Sequence, residues 1–323
     1  MSLPQTAPCS WSGETLRLRY TVPKIWTQKE SRPFGIYWSD KLSFGRLWPE
    51  PNPEELTSFY NIDSYSEYLS GTREHSTQSN TFFSKVITKI AWLNDHSTVD
   101  PIPAMLGLSY RNATVCDVGC GSGSLLSQLR NIGAIVTGID PSEVSAAAVR
   151  KSGIEFFLGT AETLPPELSG RRFDIVSLFQ SLEHCRSPAL AIRNAVSLLE
   201  PNGLLVVDVP NMGCIGFDNY GASWWHADAG RHLQFFSKTS LDALLRLCGA
   251  IPIEWEYCGF VNQFTQAWID DMGKVWDAIY GNSASHEVKR PSFAHSLFYL
   301  PKALISRGDK KYEIIRVYAR KAN

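Results

Sequence analysis

Short apolar runs alternate with amphipathic stretches along the middle of the chain, from about residue 112. Apolar runs of this kind are typical of strands that helices cover on both faces, and the stretches between them have helical periodicity. The pattern predicts strands at 114–118, 134–139, 154–158, 173–179 and 204–209, and helices at 122–132, 142–151, 188–199 and across 240–247. This order indicates an α/β fold with a doubly wound, mostly parallel sheet and helices on both faces.

Two long insertions interrupt the alternation, at about 210–236 and 260–310. Strand-like segments at 251–257 and 312–319 flank the second insertion, and we expect them to pair antiparallel at one edge of the sheet. Insertions of this length in a compact domain commonly carry function. We therefore interpret both as caps within a single α/β domain at 81–323.

The N-terminal residues 1–80 are rich in aromatic residues and proline. They include a strand-like piece at 17–22 and a turn that enters a helix at Pro53, since proline is favoured in the first turn of a helix. Helical periodicity follows at 80–94. We interpret 1–80 as an extension or a lid.

Composition and charge exclude several classes of protein. The chain has 323 residues, of which 44% are hydrophobic, and a formal net charge of −1. This composition predicts a folded protein, and no basic block of the kind that binds nucleic acid is present. The first residues lack the apolar core of a signal peptide, and no apolar run approaches the ~20 residues that cross a bilayer. We therefore expect a cytoplasmic monomer or homodimer without a membrane or nucleic-acid partner.

The cysteines give no sign of a metal or redox site. There are seven, and none of them form a CxxC pair. Zinc ribbons and dithiol redox motifs depend on such pairs. The sequence therefore favours small buried thiols in a reducing compartment.

A glycine-rich run, Asp117-Val-Gly-Cys-Gly-Ser-Gly123, follows the first predicted strand. Parallel α/β sheets bind ligands at the carboxyl ends of their strands, where glycine lets the backbone approach the ligand. The dinucleotide-binding pattern GxGxxG would need glycine at Ser124, so the run reads GxGxG instead. A glycine run alone is weak evidence, and a plain tight turn is the alternative.

Polar residues follow the neighbouring predicted strands. Asp140 ends the second strand, where a carboxylate can accept two hydrogen bonds from a ribose diol. Ala161 and Glu162 come after the third strand, where a polar group can meet the edge of an adenine. The alternatives are that Asp140 only complements a helix N-terminus and that Glu162 is an exposed loop carboxylate.

As a set, these pieces resemble the class I S-adenosylmethionine-dependent methyltransferase family, in its small-molecule, ubiquinone-methyltransferase-like branch. The resemblance covers roughly residues 80–255 and includes the FDIV strand at 173–176 and the LLEPNGLL turn at 198–205. It implies a Rossmann-like, seven-stranded sheet with an antiparallel last strand, and S-adenosyl-L-methionine as the cofactor. The cofactor-binding residues that it implies are Asp117, Gly119, Cys120, Gly121, Ser122 and Gly123 at the methionine part, Asp140 and Pro141 at the ribose, Ala161 and Glu162 at the adenine, and Phe179 and Gln180 near the sulfonium.

Methyl transfer from a sulfonium is an in-line displacement, so the protein mainly orients the reactants and excludes water. A phenolic acceptor has a pKa of ~10 and usually needs a base. His184, just after the fourth strand, is the first candidate, with a role in packing or in capping the next helix as an equal alternative. The segment 180–184 also resembles a Glu-x-x-Glu-His segment that is linked to a divalent metal, but Gln180 replaces the first carboxylate. We therefore predict that no metal is required.

The first insertion contains further candidates for the site. His226 and His232 are alternative catalytic residues, although His232 is favoured slightly as an orienting residue for a helix cap. Trp224 and Trp225 are predicted to bind the substrate, with ordinary packing as the alternative. Tyr65 and Tyr68 in the extension are predicted to close over the substrate and the sulfonium, where cation–π contact contributes ~0.5–2 kcal/mol. The alternative is that they belong to an N-terminal helix that packs on the core.

These observations predict an enzyme that methylates a small molecule, in the first place a hydroxyl group in secondary metabolism. The alternatives are N- or C-methylation of a small molecule or sugar, and methylation of RNA or protein. A NAD-dependent reductase is disfavoured, because neither GxGxxG nor a catalytic Tyr-x-x-x-Lys is found.

Overall fold

The computed structural model describes residues 3–60, 86, 89–91, 93, 110–260, 264–281 and 288–322. The chain divides into two compact units, and each unit gathers separate segments of the sequence. The α/β unit consists of Thr98–Val209, Ser240–Glu256 and Ile315–Asn323, and the antiparallel unit consists of Met1–Ser97, Pro210–Thr239 and Tyr257–Ile314. The N-terminal segment and most of both insertions thus belong to one and the same unit.

The secondary structure of the described residues follows the chain in this order. The strands are β1 Thr6–Pro8, β2 Thr15–Val22, β3 Phe34–Ser39, β4 Phe44–Trp48, β5 Thr114–Val118, β6 Ile135–Asp140, β7 Glu155–Leu158, β8 Phe173–Phe179, β9 Leu199–Pro210, β10 Gln234–Phe235, β11 Ala250–Cys258 and β12 Ile314–Lys321. The helices are α1 Pro53–Tyr60, α2 Ser124–Asn131, α3 Glu143–Lys151, α4 Pro188–Ser197, α5 Ile215–Tyr220, α6 Lys238–Leu247, α7 Gln266–Tyr280, α8 Phe293–Leu304 and α9 Gly308–Lys311. Within the described residues, every helix is too short or too polar to cross a bilayer.

The α/β unit is built on a seven-stranded sheet with the order β11-β12-β9-β8-β5-β6-β7. Pairing is parallel from β7 through β6, β5 and β8 to β9. The chain runs outward from β5 to β6 and β7, and then continues on the other side of β5 with β8 and β9. The boundary between β5 and β8 is therefore a topological switch point, where open α/β sheets bind their ligands.

The predicted α/β fold with a mostly parallel, seven-stranded sheet is confirmed. Strands β5 and β8 have the predicted bounds, and β11 and β12 are neighbours, as expected for the segments at 251–257 and 312–319. The turn expected before residue 204 is instead an irregular part of β9. Leu199 already pairs with Phe173, and the register shifts before Leu204 pairs with Ile175.

The antiparallel unit contains a five-stranded sheet with the order β1-β2-β3-β4-β10. The short strand β10 forms the edge of this sheet next to β4, where Gln234 pairs with Arg46 and Phe235 pairs with Gly45. The strand-like piece predicted at 17–22 corresponds to β2. The N-terminal segment is therefore part of a sheet that it shares with the first insertion.

Aromatic side chains form the core of the antiparallel unit. Phe217 on α5 is fully buried, and its ring centroid lies 5.4 Å from that of Tyr20, 5.7 Å from Trp38 and 6.1 Å from Trp224. Buried aromatic pairs at such separations contribute roughly 0.5–1.5 kcal/mol beyond their area. The aromatic richness of the extension and the first insertion is thus largely explained by packing.

Candidate functional site

A left-handed glycine loop follows β5 in the α/β unit. Gly119, Gly121 and Gly123 have φ angles of 84°, 50° and 75°, which other residues rarely adopt. The N–H groups of Gly119 and Cys120 both donate to the carbonyl oxygen of Ile139 on β6, at 2.7 and 3.0 Å. These bonds fix the loop to the neighbouring strand. A Cβ atom on Gly121 would have no neighbour within 4 Å, so open space lies beside its backbone.

Asp140, at the end of β6, is bound to this loop. Its Oδ2 accepts a hydrogen bond from the N–H of Gly121 at 3.0 Å, and its Oδ1 accepts one from the N–H of Ser142 at 2.9 Å. Each carboxylate oxygen keeps a further lone pair, so both can still accept hydrogen bonds from a ligand. The predicted site residues Ser122 and Pro141 directly follow Gly121 and Asp140 in the sequence, and both are exposed to solvent.

The chain after β8 packs directly on the glycine loop. The hydroxyl of Ser181 donates to the carbonyl oxygen of Val118 at 2.9 Å. A Cβ atom on Gly119 would lie only 2.5 Å from the Cβ of Ser181, so glycine is required sterically as well as for its φ angle. Gln180 has a φ of 47°, which is uncommon outside glycine. The ends of β5 and β8 therefore meet at the switch point, and Phe179 and Gln180 come directly before Ser181, which packs on the loop.

Asp117 on β5 is a buried carboxyl group with one side-chain partner. The hydroxyl of Ser177 donates to its Oδ1 at 2.7 Å. Burial raises the pKa of Asp117 to about 7, and the negative charge of Asp140 contributes to the same shift. The protonation state of this group consequently changes near neutral pH.

The cysteines beside the loop are inert. All seven cysteines are free thiols, and Cys116 and Cys120 are buried. Burial is the largest cause that raises the pKa of both thiols, and the charge of Asp117 adds to it. A thiol with a raised pKa is a poor nucleophile at neutral pH.

Glu162, predicted to lie at an adenine, is already bound to the backbone. Its Oε1 accepts a hydrogen bond from the N–H of Ser187 at 2.7 Å, and its Oε2 accepts one from the N–H of Arg186 at 3.2 Å. These groups lie just before α4. The side chain of Asn194 donates to the carbonyl oxygens of Ala161 and Glu162, at 2.9 and 3.1 Å. The Ala161–Glu162 segment is thus fixed in place by α4.

A set of polar side chains, which we call the Asp208 network, links the end of β8 to β9, β11 and β12. It consists of Gln180, Asp208, Glu256, Arg316 and Tyr318. Asp208, Arg316 and Tyr318 are buried, whereas Gln180 is exposed and Glu256 is half-buried. Gln180 Nε2 donates to Asp208 Oδ1 at 2.7 Å, and Arg316 Nε donates to Asp208 Oδ2 at 3.0 Å. Burial raises the pKa of Asp208, against the opposing effect of Arg316.

The sequence contains one signal of this network, which was not recognised from the pattern alone. Asp208 is the single charged residue in the apolar run of β9 from Leu204 to Val209. A carboxylate in a strand that helices cover on both faces needs buried partners. That requirement singles out the residue but not its partners, since Glu256 and Arg316 come from distant parts of the chain.

In the antiparallel unit, three of the predicted site residues are consecutive. Trp224 is fully buried, and its Nε1 donates to Glu313 Oε1 at 3.3 Å. His226 Nε2 lies 3.7 Å from the other oxygen, Oε2, of the buried Glu313. The Trp225 ring centroid lies 5.4 Å from that of Trp268 and 5.9 Å from that of Trp26. Glu313 is a further residue that the sequence analysis did not single out.

The remaining predicted site residues are distributed as follows. His184 ends a single 3₁₀ turn after β8 in the α/β unit and is half-buried. His232 belongs to the antiparallel unit, where its Nδ1 lies 3.0 Å from the carbonyl oxygen of His226. Tyr65 and Tyr68, and most of the helix expected at 80–94, lie outside the described residues.

Comparison with known proteins identifies related sequences. A family model described as "Methyltransferase domain" matches residues 92–250. The mitochondrial ubiquinone biosynthesis O-methyltransferase of Arabidopsis thaliana is 30% identical over 237 residues, which cover 68% of this chain and 70% of that protein. The ubiquinone biosynthesis O-methyltransferase of Roseobacter denitrificans is 29% identical over 197 residues, which cover 57% of this chain and 75% of that protein.

Other relatives align over a smaller part of their length. The ubiquinone biosynthesis O-methyltransferase of Bradyrhizobium diazoefficiens is 37% identical over 103 residues, and the chain spans only 40% of its length. Among solved structures, the 1,6-didemethyltoxoflavin-N1-methyltransferase of Burkholderia thailandensis superimposes with a TM-score of 0.45 at 18% identity, covering 92% of this chain and 98% of that one.

Proposed function

Because this chain belongs to the class I S-adenosylmethionine-dependent methyltransferase family, we propose that it methylates a small molecule, in the first place at a hydroxyl oxygen. The observation that carries the proposal is the bond between Asp140 and Gly121 at the switch point of the sheet. This bond places a carboxylate beside a glycine loop that has open space next to its backbone. A carboxylate and an open glycine loop together fit a ligand that consists of a nucleoside and a positively charged tail.

The residues of the α/β unit fit the parts of S-adenosylmethionine one by one. Asp140 retains lone pairs for the two ribose hydroxyls. Asp117 supplies a carboxylate for the ammonium group of the methionine part when it is ionised. At the adenine, the backbone N–H groups of Ala161 and Glu162 are proposed to contact the base, since Asn194 already donates to the carbonyl oxygens of both residues.

The bound cofactor supplies an activated methyl group, which leaves little chemistry for the protein beyond orientation and proton removal. Phe179 and Gln180 are proposed to line the space near the sulfonium. The left-handed conformation of Gln180 is held by two hydrogen bonds to Asp208, because its N–H also donates to the Asp208 carbonyl oxygen at 2.8 Å. The end of β8 is thus preorganised.

His184 is proposed to accept the proton of the acceptor hydroxyl. It lies in the 3₁₀ turn after β8, four residues beyond Gln180 and at the ligand-binding end of the sheet. An imidazole has an ordinary pKa near 6.5 and suits proton transfer at neutral pH. His226, whose Nε2 lies 3.7 Å from the carboxylate of Glu313, is the alternative base.

Of the two tryptophans proposed to contact the acceptor, Trp225 is the better candidate. Trp224 is fully buried and bonded to Glu313, which assigns it to packing. Trp225 keeps part of its surface exposed. Replacing Trp225 with leucine should therefore raise the KM for the acceptor more than it changes the affinity for the cofactor.

The proposal is tested by calorimetry and by product analysis. S-adenosylmethionine and NAD are titrated separately into the full chain, and we expect heat only from S-adenosylmethionine. A panel of phenols, catechols, amines and sugars is then incubated with the labelled cofactor, and mass spectrometry locates the added methyl group. Binding of NAD alone would reject the family-based function, and methylation only at nitrogen would reject the hydroxyl acceptor.

The role of metal is tested in the same assay. Because Gln180 stands where the metal-linked segment has a carboxylate, we propose that turnover needs no divalent cation. Turnover should be unchanged after incubation with EDTA. A loss that added Mg²⁺ restores would contradict this part of the proposal.

A further inference from the structure

The Asp208 network carries an excess of negative charge next to the proposed cofactor site. Two carboxylates, Asp208 and Glu256, share the single guanidinium of Arg316, whose Nη1 lies 3.4 Å from Glu256 Oε2. The hydroxyl of Tyr318 donates to Glu256 Oε2 at 2.6 Å. Burial is the largest cause that raises the pKa of Tyr318, so this phenol stays neutral. With both carboxylates ionised, the network has a net charge of −1.

The network reaches the cofactor site through Gln180. Asp208 binds both the backbone N–H and the side-chain amide of this residue. The next residue, Ser181, packs against Gly119 in the glycine loop. The guanidinium of Arg316, which is bonded to the Asp208 carboxylate, lies 5.0 Å from the centroid of the Phe179 ring. The carboxylate of Asp208 is therefore the member of the network that is bonded to the segment packed on the loop.

We propose that the Asp208 network makes the site bind the positively charged S-adenosylmethionine more tightly than its neutral product, S-adenosylhomocysteine. The inference rests on the proposed function, because it takes the sulfonium to lie beside Phe179 and Gln180. When the methyl carbon bonds to the acceptor oxygen, the electron pair of the broken C–S bond stays on sulfur and the acceptor proton passes to the base. The sulfur thereby loses its positive charge, and with it the attraction to Asp208.

Burial makes this attraction effective. Charges in a protein interior are screened much less than charges at the surface. Asp208 is almost completely buried, and burial works against its ionised form. A cation that binds nearby relieves this penalty, whereas a neutral thioether does not. The network therefore favours the methyl donor at the start of the reaction and release of the product at its end.

The experiment compares the two ligands in matched variants. Calorimetry gives the Kd of S-adenosylmethionine and of S-adenosylhomocysteine for the wild-type chain and for Asp208→Asn, which removes the charge at nearly constant shape. We expect the Kd of S-adenosylmethionine to rise about three- to tenfold in the variant, with little change for the product, from a charge interaction at low effective dielectric. Glu256→Gln should have a smaller effect in the same direction, because Glu256 is partly exposed.

Asp174→Asn is the control. Asp174 lies near the start of β8, where its carboxylate accepts hydrogen bonds from the N–H and the hydroxyl of Thr114, both at 2.8 Å. It is five residues from Phe179, or roughly 16 Å along the strand. The same substitution there should leave the ratio of the two Kd values unchanged.

Two results would overturn the inference. An equal loss of affinity for both ligands in Asp208→Asn would show that the network only maintains the shape of the site, and unchanged affinity for both would show no coupling at all. If Asp208→Asn does not fold, the same comparison is made in Glu256→Gln. An unchanged ratio of the Kd of S-adenosylmethionine to that of S-adenosylhomocysteine in that variant would then overturn the inference. Failure of the wild-type chain to bind either ligand would instead reject the proposed function.

Discussion

Ser181 packs so closely on Gly119 that a Cβ atom on the glycine would lie 2.5 Å from the Cβ of the serine. We predict that Gly119→Ala lowers the free energy of unfolding more than Gly121→Ala does. Both glycines have a positive φ, which costs a substituted residue roughly 1–3 kcal/mol, but only Gly119 has a neighbour in the way. Urea unfolding of the two variants measures the difference.

Gly170 provides the control for this comparison. Its φ is 78° and a Cβ atom there would meet nothing within 4 Å, so Gly170→Ala introduces backbone strain alone. It should resemble Gly121→Ala in stability and leave cofactor binding unaffected. Equal stability of all three variants would contradict the steric role of Ser181.

We predict that Asp140→Ala weakens binding of S-adenosylmethionine by at least about tenfold, since hydrogen bonds to a charged group contribute roughly 1.5–3 kcal/mol. The alanine would also release the N–H groups of Gly121 and Ser142. Asp140→Asn keeps an acceptor for one of them and should lose less affinity. Calorimetry measures both variants, and unchanged affinity in Asp140→Ala would remove this residue from the site.

Stability should depend on pH through Asp117, whose folded-state pKa is raised to about 7. Between the ordinary pKa near 4 and pH 7, the folded state holds a proton that the unfolded state has lost. The stabilisation from this group is therefore complete below about pH 4 and disappears as the pH rises to about 7. Asp117→Asn cannot titrate, so its stability should fall less than that of the wild type between pH 5 and 8 in urea unfolding. If the stability of the wild type and of Asp117→Asn changed with pH by the same amount, the raised pKa of Asp117 would be contradicted.

The same titration should affect cofactor binding in the opposite direction. If Asp117 holds the ammonium group of S-adenosylmethionine, binding requires the ionised carboxylate and strengthens as the pH rises through about 7. Calorimetry at pH 6 and pH 8 should show tighter binding at pH 8 in the wild type. Asp117→Asn should bind weakly at both values, and an unchanged pH dependence in this variant would assign the effect to another group.

His184→Ala should lower kcat by about 10²–10⁴-fold, the usual contribution of a general base, and leave the Kd of S-adenosylmethionine unchanged. His226→Ala is measured in parallel, because the two residues belong to different units and compete for the same role. A large loss in His226→Ala with none in His184→Ala would transfer the role of the base to His226.

Local patterns predicted most of the α/β unit. Strands β5 and β8 are short, mostly apolar and bounded by turn residues, so their limits follow from the local sequence pattern. The glycine loop and Asp140 follow for a related reason, since parallel strands bring their carboxyl ends to one edge of the sheet. Family resemblance added the identity of the cofactor, which spacing could not supply.

The antiparallel unit could not be predicted in the same way. Its sheet includes β10, a two-residue strand that has no periodicity of its own and pairs with β4. The partners of Asp208 and His226 were likewise hidden, because Arg316 and Glu313 lie about ninety or more positions away in the sequence. Sequence patterns indicate which side chains need partners, but only tertiary structure supplies them.

Because β10 is the last strand of the five-stranded sheet to be synthesised, the sheet can be completed only late in translation. Strands β1 to β4 leave the ribosome long before Gln234 and Phe235 are synthesised, and β5 to β9 are made in between. Until then, β4 exposes an unpaired edge, which is prone to associate with other chains. A nascent chain that stalls before residue 234 should therefore be more dependent on chaperones than one that stalls just after β10.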